Sequence, residues 1–196
     1  MRNTTHKIKA FAKKVAWSGR WRLYTTPDGK PLTPEELAKA RTIPSTTPDK
    51  KASEMLSLLI GRAVRVHSYT NVITTAGRQK VNEALAGSIS AASEAKINYE
   101  ELGTGTTTPA ASDTGLETPD ASTRQTISSL GVSGSQLNIT SFWSAGSATG
   151  TWKEYGCFIN GTSTSNSGTL FAHVGIDITV GSSDALTIDG TVTQSI

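Results

Sequence analysis

Hydrophobic and polar residues alternate most regularly near the end of the chain. Leu, Ala, Val and Ile occupy every second position from Leu170 to Val180, and the alternation returns at Leu186, Ile188 and Val192. A period of two places one set of side chains on one face of a β-strand. We therefore predict two strands here. The turn residues between them, at positions 181–184, predict that the two strands pair with each other in antiparallel fashion.

Shorter segments with strand character precede this pair. Valines alternate with polar residues from Val64 to Val72, and further candidates bounded by Gly, Ser or Asn lie at residues 97–102, 124–132, 136–143 and 151–159. The abundance of Ser and Thr after Gly103 favours exposed strands and turns over packed helices. Many short strands separated by turn residues are typical of antiparallel folds. The predicted fold class is mainly β, an antiparallel β-sandwich or jelly-roll-like module.

Helical signals lie mostly in the first half of the chain. Thr33 and Pro34 form an N-cap and first-turn signal for a helix that runs to about Arg41. Thr75 predicts the cap of another helix over residues 76–86. Between them, a helix ending near Gly61 is predicted by the spacing of Ala52, Met55, Leu56 and Leu59. A helical face is also shared by Ile8, Phe11, Ala12, Val15 and Ala16.

Charge divides the chain into two parts. Residues 1–65 carry 14 Lys and Arg against 5 Asp and Glu, and residues 66–196 carry 5 against 11, so the net charges are +9 and −6. Coulomb attraction suits the basic part to an acidic protein surface, or to nucleic acid through nonspecific phosphate contacts. We predict a basic, partly helical N-terminal arm at residues 1–65. Residues 66–196 are predicted to form a β module that stays folded without residues 1–60.

Apolar residues of the predicted arm are candidates for contacts with other proteins. Trp17 and Trp21 lie about one helical turn apart. They could fill a groove on a neighbouring subunit, or they could pack on this chain's own β module. The apolar stripe of the second predicted helix requires a partner surface. The predicted protein-interaction residues are Trp17, Trp21, Met55, Leu56 and Leu59.

The sequence lacks the residue patterns of several well-known catalytic and binding sites. It contains no GxxxxGK[ST], no HExxH and no GxSxG. Its lone cysteine, Cys157, excludes an internal disulfide. The histidines are scattered along the chain, which predicts surface positions and no shared metal site for His6, His67 and His173. We predict no enzymatic activity, no cofactor and no metal.

Other polar and aromatic residues have structural interpretations that compete with functional ones. Turn and cap roles are predicted for Asp113, Glu117 and Asp120, which lack the spacing of a calcium loop. Stacking on sugar rings is an alternative to core packing for Trp143, Trp152 and Tyr155. No stretch approaches the roughly 20 apolar residues that a membrane-spanning helix needs, so we predict no membrane span.

An ordered set of short segments runs through residues 71–196. It consists of NVITTAGR at 71–78, GTGTTTPAASDT at 103–114, KEYGCF at 153–158, GTLFA at 168–172 and DALTI at 184–188. This order resembles the strands and Gly/Thr loop of tailed-bacteriophage virion proteins, particularly small tail-fibre, baseplate and accessory proteins. The resemblance implies a structural module without a reaction, located in the virion. It also implies assembly as a homo-oligomer, often a trimer.

These observations lead to one functional hypothesis with two alternatives. The chain is expected to be a non-enzymatic phage virion structural protein that joins other virion proteins of the tail, baseplate or fibre through its basic arm. A capsid decoration or head-fibre protein is the first alternative. A receptor-binding or carbohydrate-binding module is the second.

Overall fold

The computed structural model describes residues 16–195, and within them the chain is mainly β. Nine antiparallel strands form one curled sheet in this part of the chain. The strands are β1 (Ala16–Thr26), β2 (Arg65–Ile73), β3 (Ile97–Gly103), β4 (Gln125–Thr126), β5 (Ser129–Ser133), β6 (Gln136–Trp143), β7 (Gly150–Ile159), β8 (Thr169–Val180) and β9 (Ala185–Ser195). The α-helices are α1 (Pro34–Thr42), α2 (Asp49–Ile60) and α3 (Thr75–Leu85), and 3₁₀ helices lie at Ala92–Ala95 and Ala121–Thr123.

Local capping signals place the helices close to where the sequence predicts them. The Thr33 hydroxyl accepts the Glu36 N–H and the Glu36 carboxylate accepts the Thr33 N–H, so a capping box starts α1. Gly61, with φ of 74°, ends α2 in the left-handed conformation that glycine adopts most easily. The cap of α3 is Thr74 and not the predicted Thr75. All three predicted helices are confirmed.

The strand order is β4-β3-β7-β8-β2-β1-β9-β6-β5. β2 links the two halves of the sheet, because residues 65–70 pair with β1 whereas residues 71–73 pair with β8. The edge strands β4 and β5 are successive along the chain, with only residues 127–128 between them. The sheet therefore curls until its edges approach each other. Side chains support this approach: Trp143 Nε1 donates to the Thr123 carbonyl at 3.0 Å and Gln125 Nε2 to the Phe142 carbonyl at 3.1 Å.

The main hydrophobic core lies inside the curl and receives side chains from both halves of the sheet. Trp21 of β1 and Tyr155 of β7 meet there, with ring centroids 5.0 Å apart. A second, smaller core forms where α1 and α2 cover β1 and β2. Its buried residues include Tyr24, Leu37, Leu56 and Val66. Burial of these two apolar clusters is the main favourable contribution to folding.

The predicted pairing of the last two strands is wrong. β8 pairs with β7 and β2, and β9 pairs with β1 and β6. The turn at residues 181–184 exists, with Asp184 N–H donating to the Gly181 carbonyl, but it carries the chain from one half of the sheet to the other. Both strands alternate because each buries one face in the same core, and alternation alone does not reveal the neighbouring strand.

The predicted division at residue 65 differs from the structure. β1 lies inside the sheet between β2 and β9, so residues 16–65 belong to the same folded unit as the rest. Removing residues 1–60 would expose the backbone groups of both neighbouring strands and delete part of the core, so we expect that truncated chain to unfold. The predicted helical face at residues 8–15 lies outside the described residues.

Candidate functional site

A polar groove of about 470 Å³ lies on the outer face of the curled sheet. The side chains of β1 alternate, so Trp21 and Leu23 enter the core while Arg20 and Arg22 point to the opposite face. On that face the groove is bordered by β6, by β9 and by the residues that follow α1. Polar groups from β6 and β9 complete the lining, contributed by Gln136, Asn138, Asp189, Thr191 and Thr193.

The charge of the groove is positive because three arginines, Arg20, Arg22 and Arg41, face one carboxylate, Asp189. We call it the cationic groove. Arg41 holds Asp189 in a two-pronged contact, with Nε to Oδ2 at 3.0 Å and Nη2 to Oδ1 at 2.6 Å. This hydrogen bonding raises the pKa of Arg41 above its ordinary value. Arg20 donates to the Ser45 hydroxyl at 2.6 Å. Among the described residues, no carboxylate pairs with Arg20 or Arg22.

Arg22 also fixes one wall of the groove. Its guanidinium donates to the carbonyl oxygens of Ala40, Ile43 and Pro44 at 3.2, 2.9 and 2.7 Å. These are the last carbonyls of α1 and the residues after it, where a cation is favoured by the helix dipole. Arg22 thus holds the end of α1 against the sheet. Arg20, whose residue is exposed, remains the cation most available to a ligand.

Two ion pairs balance part of the charge asymmetry seen in the sequence. Arg41 pairs with Asp189 and Arg65 pairs with Asp184, which joins the basic first part of the chain to the acidic remainder. Arg62 pairs with Asp28 and with Glu36, in each case at 2.8 Å. The basic segment is therefore partly an internal complement to the acidic strands. The groove is where positive charge from β1 remains without such a partner.

The predicted interaction residues do not form one surface. Trp21 and Leu56 are both 0% exposed, so neither offers surface to a partner in this structure. Trp17 packs edge-on against Phe171 with ring centroids 6.4 Å apart. Met55 is partly buried against the smaller core, while Leu59 is 49% exposed. For Trp21 the structure shows the alternative interpretation, packing within this chain. The proposed sugar-stacking residues are buried too, at Trp143, Trp152 and Tyr155.

His173 occupies a buried site that sequence reasoning did not predict. It is 3% exposed, with Nδ1 2.7 Å from Asp113 Oδ2 and Nε2 3.1 Å from Glu154 Oε2. The expectation of a surface position is therefore wrong for this histidine. Burial opposes its protonation, but the two carboxylates prevail and raise the pKa of His173. Because both ring nitrogens contact carboxylates, this imidazole has no free nitrogen with which to activate a nucleophile.

Glu154 organises the loop between β3 and the 3₁₀ helix at Ala121–Thr123. Its carboxylate accepts the backbone N–H groups of Gly105, Glu117 and Thr118 at 3.1, 2.9 and 2.7 Å. Burial would raise the pKa of Glu154, but the hydrogen bonds from His173 and from this loop lower it overall. A side chain at Gly105 would collide with Glu154, since its Cβ would lie 2.5 Å from Oε1. The Gly/Thr loop is thus fastened by one buried carboxylate.

Replacement of Glu100 by glutamine is expected to stabilise the protein above pH 7 and to have little effect near pH 4. Glu100 is 0% exposed, and burial raises its pKa to about 7 against hydrogen bonds that include those from Gln125 and Tyr155. Its folded pKa exceeds the ordinary value of 4.5, so stability is lost as pH rises between these values. Urea unfolding of both proteins from pH 4 to pH 8 would measure this difference.

Glu54→Gln is the matched control for this pH experiment, because Glu54 is exposed on α2. The same amide replacement there should leave the dependence of stability on pH close to that of the parent protein. A constant difference between the Glu100→Gln variant and the parent across the whole pH range would contradict the predicted ionisation of Glu100.

Comparisons with known proteins return no relative: no protein-family model, curated protein or solved structure matches the chain. Within residues 16–195, no group of three or more His, Cys, Asp and Glu side chains is arranged to hold a metal ion. In the same part of the chain, no helix combines the length and the apolar character needed to cross a membrane. The geometry of the cationic groove is therefore the basis for a functional proposal.

Proposed function

We propose that this chain is a non-enzymatic structural protein of a tailed-bacteriophage particle, and that its cationic groove docks onto an acidic surface of a neighbouring virion protein. The observation that carries the docking role is the outer face of β1, where Arg20 and Arg22 have no carboxylate partner among the described residues. Asn, Gln and Thr side chains surround them. Such a surface can accept carboxylates both by charge and by hydrogen bonds.

The phage assignment is supported by the ordered segments of residues 71–196 that resemble small virion proteins. In this proposal the curled sheet serves as the jelly-roll-like or β-sandwich module of such a protein. The same resemblance favours a homo-oligomer in the virion and a position in the tail, baseplate or fibre, with capsid decoration or a head fibre as the alternative. Mass spectrometry of separated heads and tails distinguishes these positions.

A charge reversal at Arg20 tests the docking role. Arg20 is exposed and its side chain donates a hydrogen bond to Ser45, while a substitution keeps its backbone pairing, so Arg20→Glu should fold normally. We expect this variant to bind a poly-glutamate peptide much more weakly than the parent protein, and to be depleted from assembled particles. Binding by the parent should weaken as salt concentration rises, because the contact is electrostatic.

Lys51→Glu is the matched control for Arg20→Glu. Lys51 is exposed on α2 and is not among the residues that line the groove, so the same change of charge there should leave both measurements unaffected. Normal incorporation of the Arg20→Glu variant into particles would contradict the docking role. Preferential binding of duplex DNA with a steep salt dependence would instead identify nucleic acid as the partner of the groove.

A further inference from the structure

The edge strand β5 is unprotected, because the side-chain contacts between the two edges of the sheet reach Phe142 and Trp143 of β6 and not β5. It pairs with β6 on one side, and among the described residues no strand pairs with its other side. Val132 is 80% exposed. Proteins usually protect such edges with charged residues, proline or a bulge, because an open edge recruits another strand. Here no charged residue occurs between Arg124 and Lys153, so neither β5 nor β6 carries such a charge.

The hairpin geometry shows which backbone groups of β5 are free. The register places Ser133 opposite Gln136, which leaves Gly134 and Ser135 as a two-residue turn. Gly134 has φ of 58°, as the first central residue of a tight hairpin turn requires. The residues that close such a hairpin form a hydrogen-bonded pair, and hydrogen-bonded pairs then recur at every second residue. Consequently the N–H and C=O groups of Leu130 and Val132 point away from β6.

The sequence of β5 reads almost identically in both directions: Ser-Leu-Gly-Val-Ser. If two copies pair antiparallel about a two-fold axis at Gly131, Leu130 of each copy lies opposite Val132 of the other. The free backbone groups of these residues then meet and form hydrogen bonds. Gly131 of one copy lies opposite Gly131 of the other at a non-hydrogen-bonded position, where antiparallel strands approach most closely. We propose that β5 is the contact surface for a second copy of this chain, through antiparallel pairing of β5 with β5.

Side-chain packing supports a second copy of this chain as the partner that pairs with β5. Leu130 and Val132 share a face with their cross-strand partners Ile139 and Leu137. Leu130 packs against the main core, whereas Val132 lines an apolar groove of about 310 Å³ at the edge of that core. Leu130 of the second copy would cover Val132 and reduce its exposure. Because the hairpin carries no charge, the two copies bring no like charges together at this contact.

The proposed contact is short, and this sets its expected strength. Interfaces that bury less than about 1,200 Å² are usually weak and transient. We therefore expect a dimer whose population rises with protein concentration. An isologous contact of this kind closes with two subunits, in contrast to a trimer.

Disulfide cross-linking tests the register directly. A Cβ at Gly131 meets no atom within 4 Å, so Gly131→Cys should be tolerated. The native Cys157 is buried, and burial raises the pKa of its thiol, so it should not form a disulfide. Opposed residues at a non-hydrogen-bonded position have Cα atoms about 4.5 Å apart, within disulfide range. Ser133→Cys is the matched control, because it faces Ser129 of the second copy. We expect Gly131→Cys to form a disulfide-linked dimer at least ~10-fold faster than Ser133→Cys.

Sedimentation of the full chain over a range of concentrations gives an independent readout. Val132→Lys should abolish the dimer while leaving the circular dichroism spectrum unchanged. Leu58→Lys, at an apolar residue that is 86% exposed on α2, should leave the dimer intact, as should Arg20→Glu in the cationic groove. A monomer at all concentrations, a trimer, or equal cross-linking rates of the two cysteine variants would overturn the proposal. Arg20→Glu tests only the docking role of the cationic groove, and Val132→Lys tests only the β5 contact. Failure of one proposal can therefore be distinguished from failure of the other.

Discussion

Trp21→Ala is expected to lower the free energy of unfolding by about 3–5 kcal/mol. The indole is 0% exposed and contacts Tyr155 across the core. It also lies over Gly190, the residue directly opposite on β9, where an added Cβ would overlap the ring. Removing the indole leaves a cavity between β1, β7 and β9 that their backbone pairing prevents from collapsing. Urea unfolding followed by circular dichroism measures the loss.

Two comparisons isolate the cause of this loss. Leu58→Ala, at an exposed residue of α2, should change stability by no more than about 0.5 kcal/mol. Gly190→Ala should be destabilising in the parent protein but much better tolerated in the Trp21→Ala background, because the overlap with the ring is gone. A Trp21→Ala protein of normal stability that fails to enter particles would restore the intermolecular docking role predicted from the sequence.

Arg124→Met is expected to cost about 3–5 kcal/mol, the range for breaking a buried ion pair. The side chains of Arg124 and Glu101 are 1% and 0% exposed, and their closest charged atoms are 2.9 Å apart. The guanidinium lies over the rings of Tyr99 and Phe158, 5.1 and 4.5 Å from their centroids. Methionine preserves apolar contact with these rings but leaves Glu101 buried without its cation.

Loss of Arg124 should also loosen the loop between β7 and β8. The guanidinium donates to the carbonyls of Thr162 and Ser167, and Glu101 accepts the backbone N–H of Asn166. Hydrogen exchange should therefore accelerate at residues 160–168 in the Arg124→Met variant. The expected signature combines this local change with a lower midpoint of urea unfolding.

A double-mutant cycle tests the assignment of this loss to the buried charge. Glu101→Gln in the Arg124→Met background should recover part of the stability, since no unpaired carboxylate then remains. Lys153→Met, which breaks the more exposed pair with Asp177, should cost less than about 1 kcal/mol. Equal costs for the buried and exposed pairs would contradict this account.

Local signals in the sequence were sufficient to predict the helices. Thr33 with Pro34 marks the start of α1, and Gly61 marks the end of α2. These signals act between residues within one or two turns of each other, so they can be read directly from the chain. The strands β8 and β9 were predictable for a related reason, because period-two alternation is also a local property.

The candidate sites depend on contacts that no local pattern encodes. Arg41 and Asp189 are 148 positions apart. They meet because Arg22 of β1 holds the end of α1 against the sheet, and β1 pairs with β9, the strand of Asp189. His173 meets Asp113 and Glu154 from separate segments. The opposite net charges of the two parts of the chain indicate that ion pairs can form between them. They do not identify which residues pair.

The amino-acid sequence by itself determined the mainly β character, the three helices, the location of the strand segments after residue 63 and the asymmetry of charge. Only the tertiary structure decided that β1 lies inside the sheet, that Trp21 is a core residue and that β8 and β9 have different partners. The physical reason is that a strand's alternation specifies which face is buried, whereas its neighbours are selected by long-range backbone pairing and by the closure of a shared core.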